Sequence, residues 1–582
     1  MESTLSAFAV YNSQKKESKK RHRKRKNKPP TSPKLLKNVG EDLIKDIGLK
    51  LKQKQKKNKE IKNIIKKKSH KKKKSKKSIK KLHVEKLDLS KHSSESDEVP
   101  ELMSPPTKHI EEPYNDDGAW SHSSNESFEF TPVQTESTEE GLKVFKWMIA
   151  PFSPDDFLNQ IWEKKPLHIA RKKPQYYNEI ISTPSIDTML RKENIQFTKN
   201  IDITSYIDGK RETHNPEGRA HPHLVWDFYL NGCSIRLLNP QTYISRLHLL
   251  NATLQEFFTS FVGANAYLTP PDSQGFAPHY DDIEAFILQA EGKKHWRVYK
   301  PREENEVLPR ISSKNFTDDE IGDPVLEVTL EAGDMLYFPR GYIHQGITID
   351  GEHSLHVTIS MYQKHAWADL FEKMLPAALQ IAINENVELR RGLPFDIYDN
   401  FGLVHSDVNT PRKTKIENLI KTLFDKIKDY LPIDEAVDQM SKKFQQDALP
   451  PVLSDFEKAV TVYGDTDLMI ENGRVTNRVE ISLDTRIRLL RKNILRMISE
   501  DRIRLYYHAE NSLEYHGSEL PYLEIEEDIA PAIETLITSY PEYVSVENLD
   551  VPNESDKLQI ADALWSRGLI MTEYPLENID DD

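Results

Sequence analysis

GFAPHYDDIEAF, residues 275–286, holds a His-x-Asp pair, His279 and Asp281. In an extended chain residues two apart face the same way, so the spacing predicts an imidazole and a carboxylate converging on one point. The pair stands at the head of a strand-like run, IEAFILQA, residues 283–290, which would aim both side chains into a barrel mouth. A second histidine would complete a facial metal site. Three candidates follow: His344, closing GDMLYFPRGYIH (333–344), and His353 and His356 in HSLHVTIS (353–360). His344 is favoured because Pro339 and Gly341 shape the backbone before it, whereas His353 reads as a turn residue and His356 suits a packed strand position. Two neutral imidazoles and one carboxylate leave half of an octahedral sphere open, the donor set of non-haem Fe(II) oxygenases.

His-x-Asp by itself is a weak signal, and the chain contains its own control. His405-Ser406-Asp407 repeats the spacing, but no alternating run follows it and no partner histidine lies on a strand turn. The first copy is also followed by a basic pair, Lys293 and Lys294, placed to answer a dicarboxylate. Lys294 is the better choice, because in a strand reading KHWRVY it shares a face with Trp296 and Val298.

Outward from this stretch, short β-rich runs alternate with turns over residues 202–363: SIRLLNP (234–240), ANAYLTP (264–270), KHWRVYKP (294–301), VLEVTLEAGDMLYFP (325–339) and LHVTISMY (355–362). Glu291-Gly292 and Ala332-Gly333-Asp334 read as hairpin turns between them. Many short strands at this spacing predict a small antiparallel barrel or double-sheet jelly roll within an α+β chain. Before it, Ser153-Pro154 ahead of Asp155 reads as a helix start. After it the period becomes helical. Trp367, Leu370, Phe371, Met374, Leu375, Ala378, Leu379 and Ala382 form one apolar stripe around Pro376, and further helices are expected at 416–431 and 486–498.

The net charge of -11 hides an asymmetry. Residues 15–81 carry 31 Lys/Arg against 5 Asp/Glu, whereas residues 510–582 carry 2 basic and 19 acidic residues. The first segment is expected to be a disordered polycationic arm suited to nuclear import and non-specific contact with nucleic-acid phosphates. The second argues against a nucleic-acid-reading domain at that end. Between arm and fold, residues 82–141 read as an acidic, Ser-rich linker. A single cysteine, Cys233, excludes an intramolecular disulfide framework and a Cys-rich zinc module. There is no secretory leader pattern and no apolar run of about 18 residues. A soluble intracellular protein without membrane contact is the expectation.

GFAPHYDDIEAF, the run ending in GDMLYFPRGYIHQ, HSLHVTISMYQ (353–363) and ENVELRRGLP (385–394) together resemble the JmjC-domain ribosomal oxygenases, in particular their nucleolar branch. The resemblance runs from about residue 142 to the C-terminus. It implies a double-stranded β-helix oxygenase domain (142–365), a helical dimerisation region (366–460) and a winged-helix-like domain (461–582), preceded by the disordered arm (1–81) and linker (82–141). It implies Fe(II) on His279, Asp281 and His344, 2-oxoglutarate and O2 as co-substrates, and Lys294 on the distal carboxylate of 2-oxoglutarate. It puts substrate-binding positions at Arg236, Asn265, Tyr267 and Ser360. The implied reaction is hydroxylation of a histidine in a large-ribosomal-subunit protein, with demethylation of histone-tail lysines as a second outcome. A homo-oligomer, dimer or higher, in the nucleus, nucleolus and nucleoplasm completes the expectation. Two competing readings are a non-catalytic nucleolar or chromatin scaffold using the basic arm, and a barrel holding zinc or manganese without redox activity.

Overall fold

The computed structural model describes residues 136–349, 351–464, 469–471, 474–476, 478–514 and 519–579. The basic arm and all but the end of the acidic linker lie outside the described residues. The chain opens with helix α1, Ser137–Ile149, so residues 137–141 belong to a helix and not to the linker. Their composition misled. Glu139 and Glu140 read as linker but serve as the acidic first turn that a helix N-terminus favours. Helix α2, Pro154–Gln160, begins as expected: the Ser153 hydroxyl accepts the Asp156 N–H at 3.1 Å, and Pro154 occupies the first turn, where its missing N–H costs nothing.

Ten antiparallel strands follow: β1 (Leu167–Ile169), β2 (Ile201–Ile207), β3 (Lys210–Thr213), β4 (Ser234–Leu238), β5 (Gly263–Thr269), β6 (Glu284–Tyr299), β7 (Leu326–Glu331), β8 (Met335–Phe338), β9 (Ile343–Ile347) and β10 (Ser354–Met361). They run in the order β1-β8-β6-β10-β5-β4-β2-β3, with β7 and β9 also on β6. The first half of β6 pairs with β8 and β10, and its second half with β7 and β9. One strand therefore serves both sheets of the jelly roll.

This corrects two expected hairpins. Glu291-Gly292 is not a turn: β6 passes through it, with Gly292 at φ +62° and the register against β10 slipping by one residue beside Leu355 and His356. A Cβ at Gly292 would lie 1.8 Å from the His353 carbonyl, so the strand changes sheets where only glycine fits. Ala332-Gly333-Asp334 is a turn, but β7 and β8 each pair with β6 and not with each other, so it crosses between the sheets.

Alternation along β6 divides the core. Phe286 and Leu288 face outward against α1, α2 and helix α3 (Ser245–Phe258), where Phe145 and Phe157 lie 6.1 and 5.6 Å from the Phe286 ring. Ala285 and Ile287 face inward, between the sheets, with Trp296, Val298, Leu330, Leu336 and Phe338. The candidate site opens onto this inner face.

Helix α4, Trp367–Glu385, runs through Pro376 and buries only Met374, Ala378, Ala382 and Asp369. Of the rest of its apolar stripe Leu370 is half-buried, while Trp367, at 77%, Phe371, at 43%, Leu375 and Leu379 are exposed. Helices α5 (Pro411–Ile427) and α6 (Ile433–Asp447) add exposed Leu419, Ile420, Phe424, Ile433 and Val437. Beyond them, residues 486–498 are not helical. They form strands β11 (Arg486–Leu489) and β12 (Leu495–Ser499), in a mixed unit with helices α7 (Ala530–Ser539) and α8 (Glu554–Trp565). The apolar spacing of this run suits either period, and tertiary packing of Ile487, Leu489 and Leu495 against Ile533, Leu536 and Leu564 decided it. No helix among the described residues is long and apolar enough to cross a membrane.

Candidate metal centre

His279 and His344 form an isolated antiparallel bridge, each N–H donating to the other's carbonyl, at 3.3 Å from His279 and 2.9 Å from His344. Asp281 lies just past the bridge, before a bend at 282–283 and the start of β6. The His-x-Asp pair thus sits on a bridge and loop and not on a regular strand, yet its side chains converge. Asp281 Oδ2 is 3.9 Å from His279 Nε2 and 3.8 Å from His344 Nε2, and the three ligand atoms lie within 4.8 Å of one another.

Both imidazoles are oriented from behind. His279 Nδ1 lies 2.8 Å from the Ala277 carbonyl, and His344 Nδ1 3.1 Å from that of Tyr342. Since a carbonyl only accepts, each Nδ1 carries the proton and each Nε2 lone pair is left toward the common point. Burial, helped by the neighbouring His279, pushes His344 down to about 4, so it is neutral and ready to ligate near pH 7. A tautomer fixed at each histidine, with a carboxylate between them, fits a divalent ion.

Among the described residues this is the one His/Cys/Asp/Glu group of three or more placed to hold a metal. The second His-x-Asp does nothing of the kind, since His405 ends a short 3-10 turn, Leu403–His405, and Asp407 is exposed. Of the rival third ligands, His353 pairs with Glu291 at 3.0 Å. His356 is buried on the inner face, stacked 4.9 Å from Tyr267, and its Nδ1 has no partner.

The two lysines separate cleanly. Lys293 points outward to Glu331 and Glu352, at 3.4 and 3.5 Å. Lys294 is 4% exposed, and its Nζ donates to Thr269 Oγ1 at 3.1 Å and lies 5.5 Å from the Trp296 ring. No carboxylate among the described residues forms an ion pair with it, and burial pushes it down to about 7. A buried ammonium with one neutral partner is a place for an anion.

Arg236, Asn265, Tyr267 and Ser360 come together on the same sheet. Arg236 pairs across the register with Tyr267 and is held by Asp202, while Tyr267 pairs with His356. Arg236 Nε, Asn265 Oδ1, Trp296 Nε1 and His356 Nδ1 are buried without partners. Unsatisfied polar atoms clustered on one inner face are costly unless a polar ligand answers them.

Sequence reading missed the supports. Ser313 Oγ accepts the Tyr280 N–H at 2.9 Å, Ser312 Oγ donates to Asp282 Oδ1 at 2.6 Å, and Gln363 donates to Asp282 Oδ2 at 2.8 Å. These partners are 30 or more positions apart, and nothing in their local sequence marks them.

Residues 236–370 match the JmjC domain family, and residues 449–576 match the family described as Ribosomal oxygenase 1, C-terminal winged helix domain. The bifunctional lysine-specific demethylase and histidyl-hydroxylase NO66 of Aedes aegypti is 53% identical over 432 residues, 74% of this chain and 68% of its own length. This chain belongs to the JmjC ribosomal oxygenases. Ribosomal oxygenase 1 of Gallus gallus is 47% identical over 76% of the chain and 74% of its own length, and Ribosomal oxygenase 1 of Danio rerio is 47% identical over 76% and 81%. In this ribosomal oxygenase the JmjC match spans β4 to the first turn of α4, and so contains every candidate site residue.

Proposed function

We propose that the protein is an Fe(II)- and 2-oxoglutarate-dependent oxygenase that hydroxylates a histidine of a large-ribosomal-subunit protein. The observation that carries this reading is the convergence of two Nδ1-anchored histidines and Asp281 beside a buried ammonium that has no carboxylate of its own. His279, Asp281 and His344 would hold the iron, which with 2-oxoglutarate and dioxygen supplies oxidative decarboxylation coupled to hydroxylation of a carbon. The chain's own residues bind, orient and exclude water. Lys294 takes the distal carboxylate of 2-oxoglutarate, with the Thr269 hydroxyl beside it. Gly346 keeps the approach open, since a Cβ there would lie 3.0 Å from Lys294 Cε. Trp296, Phe338 and Val298 form dry walls that limit unproductive hydrolysis.

Arg236, Asn265, Tyr267 and Ser360 form the substrate pocket on this reading. The unpartnered Asn265 Oδ1 suits an imidazole N–H, which favours a histidine target. Demethylation of histone-tail lysines, with a role in chromatin and transcription regulation, is the second outcome; its demethylase part is supported by the name of the Aedes aegypti relative. The two differ in product, because hydroxylation of an N-methyl group collapses to formaldehyde. The test is turnover on ribosomal-protein and histone peptides with Fe(II) and 2-oxoglutarate. Succinate and a one-oxygen gain on a histidine are expected, both lost in His279→Ala. Equal turnover by that variant would sink the proposal.

The arm at 15–81 is assigned to nucleolar and nucleoplasmic retention and to non-specific nucleic-acid contact, on its charge. The exposed stripe of α4, with its neighbours on α5 and α6, is assigned to a homo-oligomer interface, which supports a dimerising role for the helices within 366–460.

A further inference from the structure

We propose that Glu284 and Arg340 are positioning residues for the metal centre, a buried ion pair that holds the turn bearing His344 in register with the segment bearing His279 and Asp281. Glu284 is fully buried and begins β6, three residues past Asp281. Arg340 is 7% exposed and lies in the turn between β8 and β9, four residues before His344. Its guanidinium donates to Glu284 Oε1 at 2.8 Å and also reaches Glu163 at 2.7 Å. The Tyr337 hydroxyl donates to Glu284 Oε2 at 2.5 Å and accepts the Glu163 N–H at 2.9 Å. Both carboxylate oxygens of Glu284 are therefore answered.

The same turn is fixed by a backbone bond, Gly341 N–H to the Asp281 carbonyl at 3.1 Å. Gly341 sits at φ +91°, and a Cβ there would meet the Glu306 carbonyl at 2.3 Å, so the turn has little freedom to move toward that side. Glu284 shares strand parity with Phe286 and Leu288, which places the pair on the helix-covered back of the sheet, out of contact with substrate. A buried ion pair gives little stability beyond an apolar pair of the same volume, but it fixes register, because a slip of one residue strands both charges in the core. Here the register it fixes is the distance between two ligand-bearing segments.

The proposal rests on the metal-centre reading and is tested by anaerobic Co(II) titration of the metal-free full chain, followed by visible absorption, with circular dichroism and melting as controls. Arg340→Lys and Glu284→Gln are expected to raise the Co(II) Kd roughly 10–100-fold. They should also alter the Co(II) absorption envelope while keeping native circular dichroism. The double variant should lose no more than the worse single, since the residues act as one unit. Leu564→Ala, in the C-terminal core, should lower the melting temperature and leave the Co(II) Kd unchanged. A Kd within about twofold of wild type in both single variants overturns the proposal. Failure of both to fold overturns it too, by assigning the pair to stability alone; should only Arg340→Lys fail, Glu284→Gln decides. A wild-type chain that takes up no Co(II) overturns the metal reading itself, a result distinct from wild-type uptake with unchanged variants.

Discussion

His279 and His344 are joined twice, by reciprocal backbone hydrogen bonds of 3.3 and 2.9 Å and by ring centroids 4.6 Å apart. The bridge sets the ligand spacing through the backbone. Replacing either histidine, or Asp281 by Asn, should abolish Co(II) uptake and bring succinate formation down to background, with little loss of melting temperature in the metal-free protein. His405→Ala should change neither quantity, because that residue lies on an unrelated turn.

Lys294 gives the second prediction. Its ammonium is buried with only a hydroxyl as partner, so Lys294→Met should stabilise the unliganded protein by about 1–3 kcal/mol. The same change should raise the KM for 2-oxoglutarate and remove the co-substrate's protection against thermal unfolding.

Burial pushes Lys294 down to about 7 from the usual lysine range, and the sign of its pH dependence follows. Between pH 7 and about 10.4 the unfolded chain holds a proton that the folded site has shed, so this group makes stability rise with pH across that window. Binding of the dicarboxylate restores the proton. Above pH 7 the affinity for 2-oxoglutarate should fall by up to about tenfold per unit, and calorimetry in buffers of different ionisation enthalpy should report proton uptake on binding. Lys294→Met should show neither effect.

Gly292 is where β6 passes from one sheet to the other. Gly292→Ala combines a left-handed backbone with a 1.8 Å approach to the His353 carbonyl and should cost about 2–5 kcal/mol in urea unfolding. Gly351→Ala is the control. It has positive φ but no atom within 4 Å of an added Cβ, and should cost about 1 kcal/mol.

On the proposed assignment of the exposed α4 stripe to a homo-oligomer interface, the wild type should sediment as an oligomer and the Phe371→Glu, Leu379→Asp double variant as a monomer, with the Co(II) spectrum kept. An unchanged mass would remove this face from the interface.

On the proposed address role of residues 15–81, the full chain should concentrate in the nucleolus and the 15–81 deletion should not, with peptide turnover within about twofold of the full chain, since a charge-based address acts apart from the metal centre. Retention in the nucleolus would end the address role.

The sequence alone was enough to single out His279, Asp281 and His344 as a converging set, to put Lys294 on the inner face of its strand, and to give the jelly-roll class and the break to helices after Tyr362. Each of these is a local pattern, a period of two or 3.6 or a short spacing, and local backbone geometry turns such patterns directly into shared faces. Tertiary structure decided what no local pattern carries. It decided that β6 runs unbroken through Glu291-Gly292, because His353 lies against that glycine from another strand. It decided that residues 486–498 form two strands, because packing against α7 and α8 outweighed an ambiguous period. It also joined Glu284 to Arg340, 56 positions away, since a buried charge is defined by its partner in space and not by its neighbours in the chain.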